Sequence, residues 1–285
     1  VSKIVIRNLA PNDFSQANLV VRTAFQRNVD FQPMLELHRT IEREGLWAAW
    51  ADEHIVGTAS AVHYGSLAYL GLMTVHPRTQ RRGIGTRLLE HALGWLEARG
   101  NPIVLLDATE QGAPLYERYG FIDDARASEW VASRAAIESD HGASPGASLE
   151  PEVTAAELAG FELRYFGADR QKLHAALLEQ FASRTLVARD QRGSLTGFLM
   201  ARDPLLGPWC AADAAVAGRL LCGALRQPFQ HRPIVQVPRS NSAAGELLAG
   251  KGFVLRRALR HMRRGGLHPP GEPAGLFGQA SFGHG

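Results

Sequence analysis

Apolar residues recur at two periods along this chain, and the changes of period divide it into elements. Ile4 to Arg7 alternates as a short strand. Phe14, Ala17, Val20, Val21 and Ala24 repeat at helical spacing, and Asn12 stands where a cap belongs, so a helix is predicted from Asn12 to about Gln26. Pro33 opens a second helix through Glu44. Trp47–Ala51 and Ile55–Tyr64 read as a hairpin turning at Asp52–His54, followed by a mainly apolar strand, Leu67–Val75, closed by Pro77. Thr86–Arg99 is amphipathic, with Leu88, Leu89, Ala92, Leu93 and Leu96 on one face and Gly100 as its C-terminal cap. Ile103–Ala108 is a near-continuous apolar strand, as expected inside a sheet. A short helix over Pro114–Tyr119 and a strand from Phe121 to Ser133 complete the first half.

Residues 135–152 are rich in Ala, Ser, Gly, Pro and acid and read as a linker. Thr154 and Glu157 then have the spacing of a capping box. The order of elements repeats after it: a helix at Arg170–Phe181, strands at Thr185–Asp190 and Leu195–Ala201, a short strand near Trp209, a helix at Ala214–Leu225, a strand at Ile234–Val237, a helix at Ala243–Ala249 and a strand from Phe253. The last twenty residues form a tail rich in Gly and Pro. The repeat has one constant shift. Arg87–Leu93, RLLEHAL, matches Arg219–Leu225, RLLCGAL, and Gly120-Phe121 matches Gly252-Phe253, both at an offset of 132.

Composition adds limits. The 285 residues suffice for two domains, and 45% hydrophobic with 21% charged residues describes an ordinary globular chain. The net charge is +3, with both signs interspersed and no sustained basic stripe, which argues against a nucleic-acid partner. No apolar run approaches a membrane span and no signal peptide is visible, so a cytoplasmic location is expected. Cys210 and Cys222 read as buried free thiols, and the scattered histidines lack metal-ligand spacing, so no metal is expected.

The chemistry-bearing stretch is Val75–Leu93, VHPRTQRRGIGTRLLEHAL. Glycine disfavours a helix by about 1 kcal/mol, yet Gly83 and Gly85 stand where a helix begins, among Arg78, Arg81, Arg82 and Arg87. Inward-pointing amides at a helix N-terminus, with guanidinium groups around them, suit a phosphate. A strand, VHP, QRRGIG and an apolar helix, taken together, resemble the GNAT (GCN5-related N-acetyltransferase) family, whose loop reads Gln/Arg-x-x-Gly-x-Gly/Ala. LYERYGF, Leu115–Phe121, resembles that family's final helix and strand. The resemblance covers nearly the full length, with FGADR at Phe166–Arg170 and GFVLRRALRHMRRG from Gly252 similar to the divergent second domain of bacterial tandem members.

That resemblance implies an α/β fold of two tandem domains, each a mixed, mainly antiparallel, splayed sheet flanked by helices. It implies a catalytic domain over 1–134, a linker over 135–152 and a degenerate domain over 153–285. Acetyl-CoA would be the cosubstrate, with its pyrophosphate on Gln80, Arg81, Arg82, Gly83, Ile84, Gly85 and Thr86 and its pantetheine along Met73, Thr74 and Val75. Thr109 stands where the family often has Asn. Tyr116 would be the general acid that protonates the departing thiolate, with Tyr119 the lesser candidate. The general base is not legible: His63 and Asp107 are candidates, and His76 reads as structural. The implied reaction is acetyl transfer to an amine, with a small molecule favoured as acceptor. A protein amine and a non-catalytic acyl-CoA sensor are the alternatives. The chain would be a monomer (a pseudo-dimer) or a homodimer. At the same offset, QRRGIGT falls on Ala212–Gly218, ADAAVAG, and Tyr116 on Leu248, so the second copy is not expected to bind acetyl-CoA.

Overall fold

The structure is a computed structural model that describes residues 3–100, 103–138, 153–238, 241–268 and 270–285. The first half runs β1 (Ile4–Asn8), α1 (Phe14–Phe25), α2 (Gln32–Ile41), β2 (Leu46–Ala51), β3 (His54–His63), β4 (Leu67–Val75), α3 (Ile84–Glu97), β5 (Ile103–Ala108), α4 (Ala113–Glu117) and β6 (Ile122–Ala132). Where a linker is expected, residues 134–138 form a short helix, α5 (Arg134–Glu138), and the rest of that stretch lies outside the described residues. The second half runs α6 (Ala155–Phe166), α7 (Gln171–Phe181), β7 (Thr185–Arg189), β8 (Leu195–Ala201), β9 (Leu206–Ala211), α8 (Ala214–Leu225), β10 (Ile234–Val237), α9 (Ser242–Gly250), β11 (Phe253–Arg264) and β12 (Leu276–Gly278).

The elements form for the reasons their patterns suggest. The apolar stripe of α3 buries Ile84, Leu88, Leu89, Ala92, Leu93 and Leu96 against Ala68, Leu70, Val104 and Leu106 of the sheet. Truncating one such leucine to alanine costs about 2–5 kcal/mol. Thr154 caps α6 by accepting from the Glu157 amide at 3.2 Å.

One eight-stranded sheet, ordered β1-β2-β3-β4-β5-β11-β6-β10, crosses both halves, and a second sheet is ordered β12-β9-β8-β7. The closing strands are exchanged. β11 of the second half lies between β5 and β6 of the first, and β6 in turn pairs with β10. Periodicity shows that strands exist, not which partner completes them, so this exchange is invisible in the pattern. Within the β6–β11 ladder Ala127 faces Leu259, a pair 132 apart (259 − 127), so the local two-fold passes through it. Each strand carries one bulged residue, Asp124 and Arg256, again 132 apart (256 − 124). The backbone thus repeats the offset read from the letters.

β4 and β5 run parallel and pair only from Leu67–Tyr69 with Ile103–Leu105, then separate. In the second half the corresponding strands β9 and β10 form no ladder among the described residues; Leu205, just before β9, makes an isolated parallel bridge with Ile234. There the gap is filled: β12 pairs with β9, and the Gln279 amide donates to the Gln236 carbonyl of β10 at 2.7 Å. The Gly- and Pro-rich tail is therefore ordered and buried from Leu276 onward.

Candidate active site

The first candidate feature lies at the N-terminus of α3. His76 Nδ1 accepts from the Arg78 amide at 3.3 Å, and Gln80 Nε2 donates to the Val75 carbonyl at 3.1 Å, so these side chains brace the turn after β4. Gly83 caps the helix at φ 78°, a left-handed conformation that glycine adopts without strain. Arg81, also at positive φ (62°), helps curl the loop over the helix end. Neither glycine relieves crowding inside the protein. A Cβ on Gly83 would meet nothing within 4 Å, and one on Gly85 would make only ordinary contacts, 3.5 Å to Leu115 and 3.6 Å to Val75. Among the described residues the amides of Ile84, Gly85 and Thr86 have no hydrogen-bond partner. Arg78, Arg81 and Arg82 are exposed around this helix end, whereas Arg87 is tied to the Ile4 carbonyl at 2.9 Å.

The second feature is a bulge in β4. Thr58 pairs with Thr74 but Ser60 with Gly71, and Leu72 takes φ 47°. Such a bulge re-aims backbone groups out of the ladder. It lies beyond the last β4–β5 pair, so Met73 to Val75 border the open gap on the side facing β5.

Tyr116 on α4 is 8% exposed, with its ring 5.8 Å from that of Phe121. Its hydroxyl has no partner among the described residues, and burial pushes its pKa up, so it stays protonated. Tyr119 turns away and donates to Glu90 at 2.6 Å. Thr109 lies in the turn that leads into α4, its Oγ1 accepting from the Gly112 amide at 3.1 Å.

Comparison with known proteins gives this arrangement its context. Residues 16–121 match the family model described as Acetyltransferase (GNAT) family, and residues 159–278 match one described as Acetyltransferase (GNAT) domain. The chain belongs to the GNAT family. It is 27% identical over 201 residues to the uncharacterized N-acetyltransferase YitH of Bacillus subtilis (strain 168), covering 67% of each protein. The same fold occurs in a candidate acetyltransferase of Pyrococcus horikoshii, with TM-score 0.86 and 22% identity over 99% of this chain and 96% of that one. It occurs also in a GCN5-related N-acetyltransferase of Sphaerobacter thermophilus, with TM-score 0.69 and 15% identity over 94% and 96%. The protein is thus an acyl-CoA-dependent acetyltransferase of two GNAT folds.

The GNAT sheet face opposite α3 carries the candidate base Asp107 together with partners that the sequence does not announce. Asp107 has a fully buried side chain. It accepts from Tyr69 Oη at 2.5 Å and Gln279 Nε2 at 3.0 Å, and lies 2.9 Å from His261 Nδ1. His261 arrives on the exchanged strand β11, and its Nε2 is buried without a partner. His63, by contrast, is a half-buried residue at the end of β3 whose pKa burial lowers. Across the same face lies the tail. Gly283 packs on Gly71 so closely that a Cβ on Gly71 would sit 2.4 Å from its Cα. Tyr64 donates to the His284 carbonyl at 3.0 Å, and His284 stacks on His38 with ring centres 5.2 Å apart. Burial holds His38 down at about 4 and His284 well below its usual value, so both stay neutral.

The second GNAT fold lacks the first feature. Only Ala212 and Asp213 separate β9 from α8, and Asp213 Oδ1 accepts from the Val216 amide at 2.8 Å, placing a carboxylate at the helix N-terminus. Leu248, opposite Tyr116 in the repeat, is a fully buried core leucine. Both cysteines are free and buried.

Proposed function

We propose that acetyl-CoA is the acyl donor and that the first GNAT fold alone, residues 1–134, holds it. The observation that carries this reading is the row of unpartnered amides at the start of α3, beside exposed arginines and next to an unfilled gap between β4 and β5. Gln80 to Thr86 would hold the pyrophosphate through backbone amides, with Arg81 and Arg82 supplying charge. Met73, Thr74 and Val75 would hydrogen-bond the pantetheine arm, and amides freed by the bulge would face the thioester oxygen. Thr109 would border the same gap. Residues 153–285 would form a fold that binds no acetyl-CoA: its helix end is capped by its own Asp213 and its gap is filled by β12.

The acceptor would be a small-molecule amine. The tail laid over Gly71 and Tyr69 narrows the approach from the face opposite α3, which favours a small acceptor over a protein one. The amine nitrogen attacks the thioester carbonyl carbon, and the carbon–sulfur bond breaks as the amide forms. Tyr116 delivers its proton to the departing sulfur and the amine proton leaves to water. Calorimetric titration with acetyl-CoA tests the binding half. Gly83→Asp, which sets a carboxylate among the loop amides, is expected to weaken affinity at least ~10-fold, a loss of about 1.4 kcal/mol. Unchanged affinity overturns the assignment of the loop.

A further inference from the structure

Beside the tail, three guanidinium groups converge on one carboxylate. Glu129 of β6 has a side chain 3% exposed. Arg257 Nε lies 2.9 Å from its Oε1, and an Arg257 terminal nitrogen lies 3.3 Å from its Oε2. Arg256 Nε lies 2.7 Å and an Arg27 terminal nitrogen 3.1 Å from that same Oε1. Arg257 already meets both oxygens, so a structural ion pair needs nothing more. The other two cations add mutual repulsion. Among the described residues, other acids on these elements have partners of their own and make no ion pair with the three arginines: Asp30 accepts from the Asn18 side-chain amide, Asp123 pairs with Arg260 and Asp124 with Arg263. Three positive charges facing one negative charge leave an excess of two. The arginine side chains are 26%, 34% and 34% exposed for Arg27, Arg256 and Arg257, so a solute can reach them.

The position matters as much as the charge. Three elements build the cluster: the α1–α2 connection, β6 and the exchanged β11. The bulge at Arg256 turns two consecutive arginines onto Glu129. Arg257 lies 5.3 Å from the ring centre of Phe282, whose amide donates to Gln236 Oε1 at 2.8 Å, and the next residue, Gly283, covers Gly71 beside the β4 bulge. One tail residue therefore separates the cationic cluster from the strand proposed to carry the thioester.

We propose that Arg27, Arg256 and Arg257, oriented by Glu129, bind an anionic group of the acceptor, so that the amine acetylated here also carries a carboxylate or a phosphate. This rests on the acetyl-CoA reading above. Both oxygens of Glu129 are taken up by arginines, so it positions them and is not free to hold the ammonium of the acceptor. Guanidinium groups suit either anion through paired N–H donors.

The test is thiol release from acetyl-CoA by the full chain with matched amines: α-amino acids against their amides, and phosphoethanolamine against ethanolamine. The anionic member of at least one pair is expected to have kcat/KM at least ~10-fold above its neutral partner, and the pair that responds tells carboxylate from phosphate. Arg27→Gln, a partly exposed change, should raise KM for the anionic acceptor at least ~10-fold while KM for acetyl-CoA moves less than ~2-fold. Inorganic phosphate should compete with the acceptor and not with acetyl-CoA. Neutral amines used as well as anionic ones, no turnover of any pair, or an unmoved acceptor KM in Arg27→Gln overturns the proposal. Calorimetry separates the two readings: acetyl-CoA binding without anion preference sinks the anion site alone, whereas absent acetyl-CoA binding sinks the donor assignment.

Discussion

Replacing Tyr116 by Phe removes one oxygen, and the structure says what that oxygen does for folding. Its hydroxyl has no protein partner among the described residues, so the change leaves no donor or acceptor stranded. The ring keeps its edge contact with Phe121 at 5.8 Å. The stability change should therefore stay below about 1 kcal/mol. The catalytic change should be large. A positioned general acid contributes about 10²–10⁴-fold, equivalent to about 3–5 kcal/mol of barrier at 1.36 kcal/mol per tenfold. Burial raises the phenol pKa, so the wild-type group is protonated throughout the neutral range and the deficit should not depend on pH between about 6 and 9. The assay is initial-rate thiol release with an amine that the wild type acetylates, beside a melting curve and an acetyl-CoA titration of the variant. A fall in kcat with unchanged melting temperature and donor affinity is expected. Turnover within about twofold of wild type would refute the role. Lost donor affinity would reassign Tyr116 to binding.

Two further expectations concern the second GNAT fold. Asp213→Ala removes the cap of α8 and should lower stability by about 0.5–2 kcal/mol in denaturant melts, with acetyl-CoA affinity unmoved; a loss of affinity would mean that this helix end meets the donor. Glu162 is fully buried between Arg170 and His174. Burial opposes its ionisation, but those two partners outweigh burial and hold its carboxyl at about 2. A depressed carboxyl stabilises the fold above its unfolded value near 4.5 and loses that contribution as pH falls towards 2. The thermal midpoint should accordingly drop between about pH 4.5 and 2, and Glu162→Gln should flatten part of that drop. An identical acid profile in the variant would show that Glu162 does not carry it.

What the letters reveal and what they hide divides along physical lines. The α3 stripe, the capping Thr154 and the glycines at 83 and 85 are legible because each is a local requirement written within one or two helical turns. The 132-residue offset is legible for the same reason, since helices and Gly-Phe pairs survive divergence of everything between them. Long-range partnership is not local. The tail looks like flexible Gly-Pro chain because its glycines remove side chains, yet at Gly71 and Gly283 that removal lets two backbones touch. Asp107 reads as a candidate base from its place at the end of β5, but its partners come from β4, β11 and the tail, up to 172 residues away from it along the chain. Arg27, Arg256 and Arg257 draw no notice in a chain with arginines throughout. Only the exchange of strands gathers them on one carboxylate.

That exchange gives the second fold, which has neither the glycines of the loop nor the tyrosine, a structural part in the first. A degenerate copy that merely abutted the first could be lost with little consequence for chemistry. Here the copy supplies the strand that pairs with β5, and on it Met262 fills the core beneath α3 while His261 reaches Asp107. It also supplies Arg256 and Arg257 to Glu129, and the tail that covers Gly71. Without β11, β5 would present an unpaired edge, and the buried Asp107 would lose its imidazole neighbour. The second half therefore contributes a wall, a strand and a charge pattern, and none of these needs a phosphate loop. With Ala215 and Ala217 where the first fold has glycines, and Asp213 at the helix end, α8 is a better-capped helix than α3, built for packing and not for an anion.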